Sequence, residues 1–187
     1  MLHKVIMAGF GGQGIMTAGK ILAEAALREG RNVSWLPSYG PEMRGGTANC
    51  HVIISDDLIG NPIISEASAV MVLNQPSFDK FGNNVVSGGK LIVNSSLIAE
   101  KSPKDDIGTV YVPANDIAAE FGNKKVINMI MLGAYLKATG VVEISTIMKI
   151  VSEILGQKNP ELLKLNQDAI LKGAELADEA LGGEAGR

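Results

Sequence analysis

Six residues near the start, Gly9-Phe10-Gly11-Gly12-Gln13-Gly14, restrict the fold of this chain more than any other stretch. They follow Lys4 to Ala8, a short apolar run whose composition suits a buried strand. They precede a helical pattern in which Ile15, Ala18, Leu22, Ala25 and Ala26 recur while Lys20, Glu24 and Arg28 face other ways. Gly30 is placed to close that helix. Val33 to Leu36 reads as a second strand, stopped by Pro37. Strand, glycine turn, helix and strand in this order open an α/β fold. Glycines at such a turn allow close backbone approach, and the helix N-terminus behind it attracts an anion. The same spacing also serves a tight connection that holds no ligand, and the residues alone leave both readings open.

The remainder of the chain extends this plan. Ala48 to Ser55 reads as the next strand. Asp56-Asp57 marks a turn, and Leu58 to Ile64 is expected to run back beside that strand, which would make the sheet mixed. Ala69 to Leu73, Leu91 to Val93 and Thr109 to Val112 are further strands of the buried kind, with a short helix over Ser77 to Phe81. The chain then turns helical: Asp116 to Phe121, Val126 to Thr139 closed by Gly140, Ser145 to Leu155, and Glu161 to Leu181 behind Pro160. The apolar positions 147, 148, 151, 154 and 155 form a core face, and the tail from Gly182 is expected to fray. With 187 residues, 46% of them hydrophobic, and with no repeat or linker, residues 1–187 are expected to form one domain whose core needs no disulfide or structural metal. The expected class is α/β: a single three-layer α/β/α Rossmann-like domain with a mostly parallel, mixed sheet and a helical C-terminal part.

Several functions are excluded by residue type. A nicotinamide site expects an acidic residue at the end of the second strand, yet no Asp or Glu lies between Arg31 and Pro41. A stand-alone NAD(P) oxidoreductase also lacks its substrate domain. No P-loop pattern occurs. Cys50 is the only cysteine, so the chain cannot close an internal disulfide or hold an iron–sulfur cluster, which takes about four thiolates. Beside an apolar run, Cys50 reads as a buried small hydrophobe. His3 and His51 make no metal spacing, and both are expected in or beside strands. A net charge of −3 gives no footprint for duplex nucleic acid, and 4% aromatic residues make a base-stacking surface unexpected. No run is long enough for a membrane span, the N-terminal apolar run is too short for a secretory signal, and a cytoplasmic setting is the simplest reading.

A second constellation follows the second strand: Ser38-Tyr39-Gly40-Pro41-Glu42-Met43-Arg44-Gly45-Gly46. Arg44 carries a planar fork suited to carboxylate or phosphate, and Gly45-Gly46 lets the backbone come close to something. Loops after the first two strands share the carboxyl edge of a doubly wound sheet, where ligands bind. An internal Arg44–Glu42 pair that stiffens the loop is the alternative. Lys124-Lys125 reads as a solvated helix start. Asn128 stands out in an apolar helix, either as a buried hydrogen-bonding partner or as a contact to another subunit. Met129, Met131 and Met148 read as core or interface filler.

Gly9 to Gly14, Tyr39-Gly40-Pro41-Glu42-x-Arg44-Gly45-Gly46 and Val52-Ile53-Ile54-Ser55-Asp56 together resemble the gamma subunit of 2-oxoacid:ferredoxin oxidoreductases. The resemblance continues in order through Val112-Pro113-Ala114, Asn128-Met129, Leu132-Gly133-Ala134 and Asn159-Pro160-Glu161, nearly the whole chain. It implies a domain that works inside a larger enzyme, one that oxidatively decarboxylates a 2-oxoacid, forms an acyl-CoA and reduces ferredoxin. Tyr39, where the pyruvate branch tends to carry Phe, brings it closest to the 2-oxoglutarate branch, with branched-chain and indolepyruvate enzymes as alternatives. The resemblance also implies thiamine diphosphate, Mg2+ and [4Fe–4S] clusters on other subunits. In keeping with that, Asn83-Asn84 has no Gly-Asp-Gly partner that would hold the thiamine metal here. It further implies alpha and beta partners, with or without a ferredoxin-like delta subunit, and ferredoxin as electron acceptor. The isolated chain is expected to be inactive and able to form a homodimer. By the resemblance, CoA is the co-substrate near this chain. Gly9, Gly11, Gly12, Gln13, Gly14, Tyr39, Gly40, Glu42, Arg44, Gly45 and Gly46 would line its side of the site, without a catalytic or metal-binding role. A non-catalytic module that binds CoA or a nucleotide is the competing reading.

Overall fold

The computed structural model describes residues 1–40, 46–155 and 159–184. Six strands form one sheet: β1 (Leu2–Phe10), β2 (Asn32–Tyr39), β3 (Thr47–Ser55), β4 (Ala67–Val72), β5 (Val85–Asn94) and β6 (Gly108–Val112). Their order across the sheet is β2-β3-β1-β4-β5-β6. β1, β4, β5 and β6 run parallel, whereas β3 lies antiparallel between β1 and β2. β1 and β2 therefore point the same way, and Phe10 and Tyr39 end at one edge, together with the carboxyl ends of β4, β5 and β6. β1 is central and covered on both faces, so Val5, Ile6, Met7 and Ala8 are all fully buried and its sequence does not alternate.

The helices are α1 (Ile15–Arg28), α2 (Gln75–Phe81), α3 (Ala114–Glu120), α4 (Ile127–Thr139), α5 (Ile144–Leu155) and α6 (Pro160–Glu184). They divide unequally between the two faces. Residues of α1, α3, α4, α5 and α6 pack in one cluster with Val5, Met7, Val52, Met71 and Val110. On the other face Phe78 of α2, with Ile64 and Ile98 from loops, covers Ile6, Ile53, Val70, Leu91 and Val93. Among the described residues, α2 is the one α-helix of that second layer, followed by a 3-10 turn, Gly82–Asn84. Cys50 is fully buried, and burial pushes its thiol up to about 12. His3 and His51 lie in β1 and β3.

Four expectations need correction. β2 does not stop at Pro37 but continues to Tyr39. It is an outer strand, where an imide nitrogen without a hydrogen breaks no ladder bond if it faces the open side. Leu58 to Ile64 forms no strand; Leu58 is 91% and Ile63 65% exposed, and Pro62 interrupts the segment. The sheet is mixed because of β3 instead. On α5 the buried positions are Ile147, Ile150 and Val151, while Ile154 is 51% exposed. The tail also differs in part, since α6 runs on to Glu184.

Candidate functional site

The glycine turn connects β1 to α1 at the carboxyl edge of the sheet. Gly14 caps α1 with φ 77°, a left-handed conformation that favours glycine, and no side chain caps the helix. A β-carbon on Gly14 would also meet the Asn128 amide nitrogen at 2.4 Å. That amide donates to the Gly14 carbonyl at 3.1 Å, so the one polar side chain in the apolar start of α4 ties α4 to the cap of α1. Asn128 is thus a buried hydrogen-bonding partner, one of the two roles its position suggested. Gly12 has φ 98°, and a β-carbon there would point into open space. It is the glycine of this turn at which a ligand can approach the backbone.

Gln13 turns inward rather than toward a ligand. Its Oε1 accepts the Phe10 N–H at 2.6 Å and the Asn74 amide at 3.1 Å. Asn74 in turn caps α2, its Oδ1 accepting the Ser77 N–H at 3.0 Å. The crevice between β1 and β4, from which α1 and α2 leave to opposite faces, is therefore bridged by two side-chain amides. In dinucleotide-binding folds that crevice holds the cofactor. One strand further along the edge, the fully buried Asn94 at the end of β5 donates to the Leu73 carbonyl at 3.1 Å and to Asn115 Oδ1 at 2.8 Å. Asn74 and Asn94 escaped the sequence reading. The available signal was an Asn directly after each apolar strand run, Leu73-Asn74 and Val93-Asn94.

The two sequence constellations do meet. The Gly11 N–H donates to the Gly46 carbonyl at 2.8 Å, and the Gly40 N–H donates to the Thr47 carbonyl at 2.8 Å. Tyr39 is half exposed at the same edge. Glu42, Arg44 and Gly45 lie outside the described residues. Because Gly46 takes the Gly11 amide, the donors left at the turn are those of Gly12 and the first turn of α1. The N–H groups of Ile15, Met16 and Thr17 have no acceptor among the described residues, and the first bond of the helix is Ala18 N–H to the Gly14 carbonyl.

Of these residues Gly12 and Thr17 line a cleft of about 340 Å³ between α1, α4, α5 and α6. Gly12, Gly14, Thr17, Lys124, Lys125 and Asn128 form its polar wall. Ile21, Val151, Ile154 and Leu162 form its apolar wall. Lys124 and Lys125 belong to a 3-10 turn, Lys124–Val126, that leads into α4, so two helix starts converge here. The arrangement suits an anion joined to an apolar group. Among the described residues that line the cleft there is no His, Cys, Asp or Glu. No cluster of three His, Cys, Asp or Glu side chains occurs among the described residues. No helix of the described residues is long and apolar enough to cross a membrane.

A mixed sheet with a glycine turn at its carboxyl edge defines an α/β domain. Residues 4–176 match the family described as pyruvate ferredoxin/flavodoxin oxidoreductase, and the chain belongs to that family. It is 38% identical over 183 residues to the ketoisovalerate oxidoreductase subunit VorA of Methanothermobacter marburgensis, covering 97% of this chain and 38% of that protein. The chain thus spans well under half the length of that relative. It is 33% identical to the 2-oxoglutarate synthase subunit KorC of Methanocaldococcus jannaschii, covering 96% of each. Among solved structures it resembles the keto/oxoacid ferredoxin oxidoreductase gamma subunit from Geobacter sulfurreducens, with a TM-score of 0.77 and 33% identity over 94% of this chain and 98% of that one.

Proposed function

We propose that residues 1–187 act as one gamma-type domain, a subunit of a CoA-acylating 2-oxoacid:ferredoxin oxidoreductase, and that this domain completes the CoA side of the composite site. The observation that carries the reading is the run of amides at Gly12, Ile15, Met16 and Thr17 without acceptors among the described residues, whose end members Gly12 and Thr17 line an amphipathic cleft. Such donors suit a phosphate, and the apolar wall suits the chain attached to it. CoA, when bound, supplies the thiol that accepts the acyl group. The residues of this chain bind and orient it and move no proton. Gly9 and Gln13 support the turn from below, Gly11 and Gly46 fix the neighbouring loop to it, and Gly12 and Gly14 set its path. Arg44, with Tyr39, Gly40, Glu42 and Gly45 of its loop, is assigned to an anionic group of the coenzyme.

The rest of the chemistry belongs to other chains. A lone buried thiol fits no cluster, so thiamine diphosphate, Mg2+ and the [4Fe–4S] clusters are assigned to alpha and beta subunits and to a ferredoxin-like delta subunit where one is present. Ferredoxin takes the electrons, and the cytoplasm is the setting. For the 2-oxoacid we favour 2-oxoglutarate, supported by Tyr39 and by the KorC relative with its matching length. Ketoisovalerate is the second reading, on the strength of the VorA relative. Anaerobic purification of the tagged chain from its own cells, followed by CoA-dependent viologen reduction with 2-oxoglutarate, pyruvate and ketoisovalerate, tests the assignment and names the substrate. A colourless lone chain without activity refutes it. In the active complex, Arg44→Ala is expected to raise the KM for CoA about tenfold, the loss of one good charged contact. An unchanged KM would remove Arg44 from the site.

A further inference from the structure

On the face of the sheet that α2 packs against, β2 and β3 carry Leu36, Ser38, Asn49 and His51, paired across the strands as Leu36 with His51 and Ser38 with Asn49. Lys80 and Phe81, at the end of α2, complete the wall of a pocket of about 270 Å³. Ile53, two residues on from His51, belongs to the core of that face, whereas Cys50 and Val52 belong to the other. The pocket and the cleft of Gly12 and Thr17 therefore lie on opposite sides of the sheet. We propose that this pocket is a binding site for a small organic carboxylate. Lys80 provides the charge, the His51 Nε2–H, the Asn49 amide and the Ser38 hydroxyl provide hydrogen bonds, and Leu36 and Phe81 lie against the carbon chain. The proposal goes beyond the coenzyme reading and does not depend on it.

Three side chains carry it. Asn49 is only 9% exposed, and its side chain makes no hydrogen bond among the described residues, so an amide is left facing the pocket that it lines. The other buried asparagines, Asn74, Asn94, Asn128 and Asn166, each make at least one such bond. A nearly buried amide without a partner is costly, and a ligand in the pocket removes that cost. His51 is held by the Ile64 N–H, which donates to its Nδ1 at 3.3 Å. That bond fixes the neutral ring with its proton on Nε2, which has no acceptor among the described residues. Burial, and then the Lys80 charge, lower the His51 pKa, so the ring is a neutral donor at pH 7. Lys80 makes no ion pair among the described residues, and its ammonium lies 5.0 Å from the centre of the Phe81 ring. The neighbouring Asp79 accepts from Gln75 at 2.7 Å, and no Asp or Glu lines the pocket. One positive charge among neutral hydrogen-bonding groups matches a singly charged carboxylate better than a phosphate dianion. Size narrows the class further. About 270 Å³ lies below the ~300 Å³ at which sites for drug-sized molecules begin, so the pocket suits a carboxylate of a few carbons and not a coenzyme.

The test is an NMR titration of the full isotope-labelled chain with sodium propionate, with inorganic phosphate, and with sodium chloride at matched ionic strength. Propionate is expected to move the side-chain amide signals of Asn49 and the ring signals of His51. At saturation it is expected to raise the midpoint of the His51 titration by about one pH unit, the effect of an anion beside the ring. Lys80→Gln, at an exposed position, is expected to weaken propionate binding about tenfold while the amide spectrum elsewhere stays unchanged. Silent Asn49 and His51 signals, equal shifts with chloride, or a propionate response that survives Lys80→Gln would overturn the site. Tighter binding of phosphate than of propionate would overturn the carboxylate class. Gly12 and Thr17 are expected to stay still, and movement there in place of Asn49 would assign the anion to the other face and overturn the pocket. None of these outcomes bears on the CoA reading, which the Arg44→Ala measurement tests separately.

Discussion

At the scale of single residues, one electrostatic consequence lies far from the glycine turn. Tyr135 is fully buried in α4, and its hydroxyl meets His3 Nε2 of β1 at 2.9 Å. The neutral imidazole donates or accepts in that bond according to its tautomer, and burial lowers the His3 pKa from 6.5 to about 4. The unfolded chain therefore binds this proton more readily than the folded one. The resulting stability is fully present above pH 6.5 and is lost as the pH falls toward 4. At ~1.4 kcal/mol per unit, roughly 3 kcal/mol is at stake. Urea denaturation between pH 7.5 and 4 is expected to show this loss, and a His3→Leu/Tyr135→Phe variant to show a flatter profile. An equal slope in both would exclude His3 as its source. None of this pairing was legible in sequence, where His3 and Tyr135 are separated by 132 positions.

At the scale of elements, α4 and α6 make the tightest junction of the molecule. A β-carbon on Gly133 would fall 2.0 Å from the Ile170 carbonyl oxygen, and one on Gly173 would fall 1.8 Å from the Ile130 carbonyl oxygen. Each glycine of one helix faces the backbone of the other, so no rotamer change relieves the clash. Gly133→Ala and Gly173→Ala are each expected to cost about 3 kcal/mol or more, lowering the melting temperature by roughly 10 °C. The double variant is expected to cost less than the sum, because one separation of the helices accommodates both methyl groups. Thermal melts of the three variants decide this, and full additivity would argue for two independent sites. Element types followed from sequence because they rest on local periodicity. The start of α1, the end of α4 at Gly140 and the unbroken burial of Ile127 to Leu136 all accord with local signals. The strand expected at Leu58 to Ile64 failed because an apolar run needs a free neighbour to pair with, and β2 already occupies the open side of β3.

At the scale of the whole molecule, the uneven layers and the lengths of the relatives bear on the same question. The domain occurs as a chain of this length in KorC and within a chain more than twice as long in VorA. Its glycine turn offers binding groups but no proton-transfer residue. The purified chain alone is therefore expected to reduce no viologen with any 2-oxoacid, and activity is expected only on co-expression with the partner subunits. Turnover by the isolated chain would refute the division of labour proposed above.

The sequence by itself determined the order and kind of nearly all elements, the glycine turn and its position between β1 and α1, and the family, because these depend on neighbours within a few residues. Tertiary structure alone decided which side of that turn is open. β3 enters between β1 and β2 and brings the Gly46 carbonyl onto the Gly11 amide, while Gln13 closes toward Asn74. Asn128 meets Gly14 across 114 positions, and Lys124 and Lys125 come to line the same cleft as Gly12 and Gly14. Contacts of that range are set by how helices and strands share one core, and no local pattern of residues encodes them.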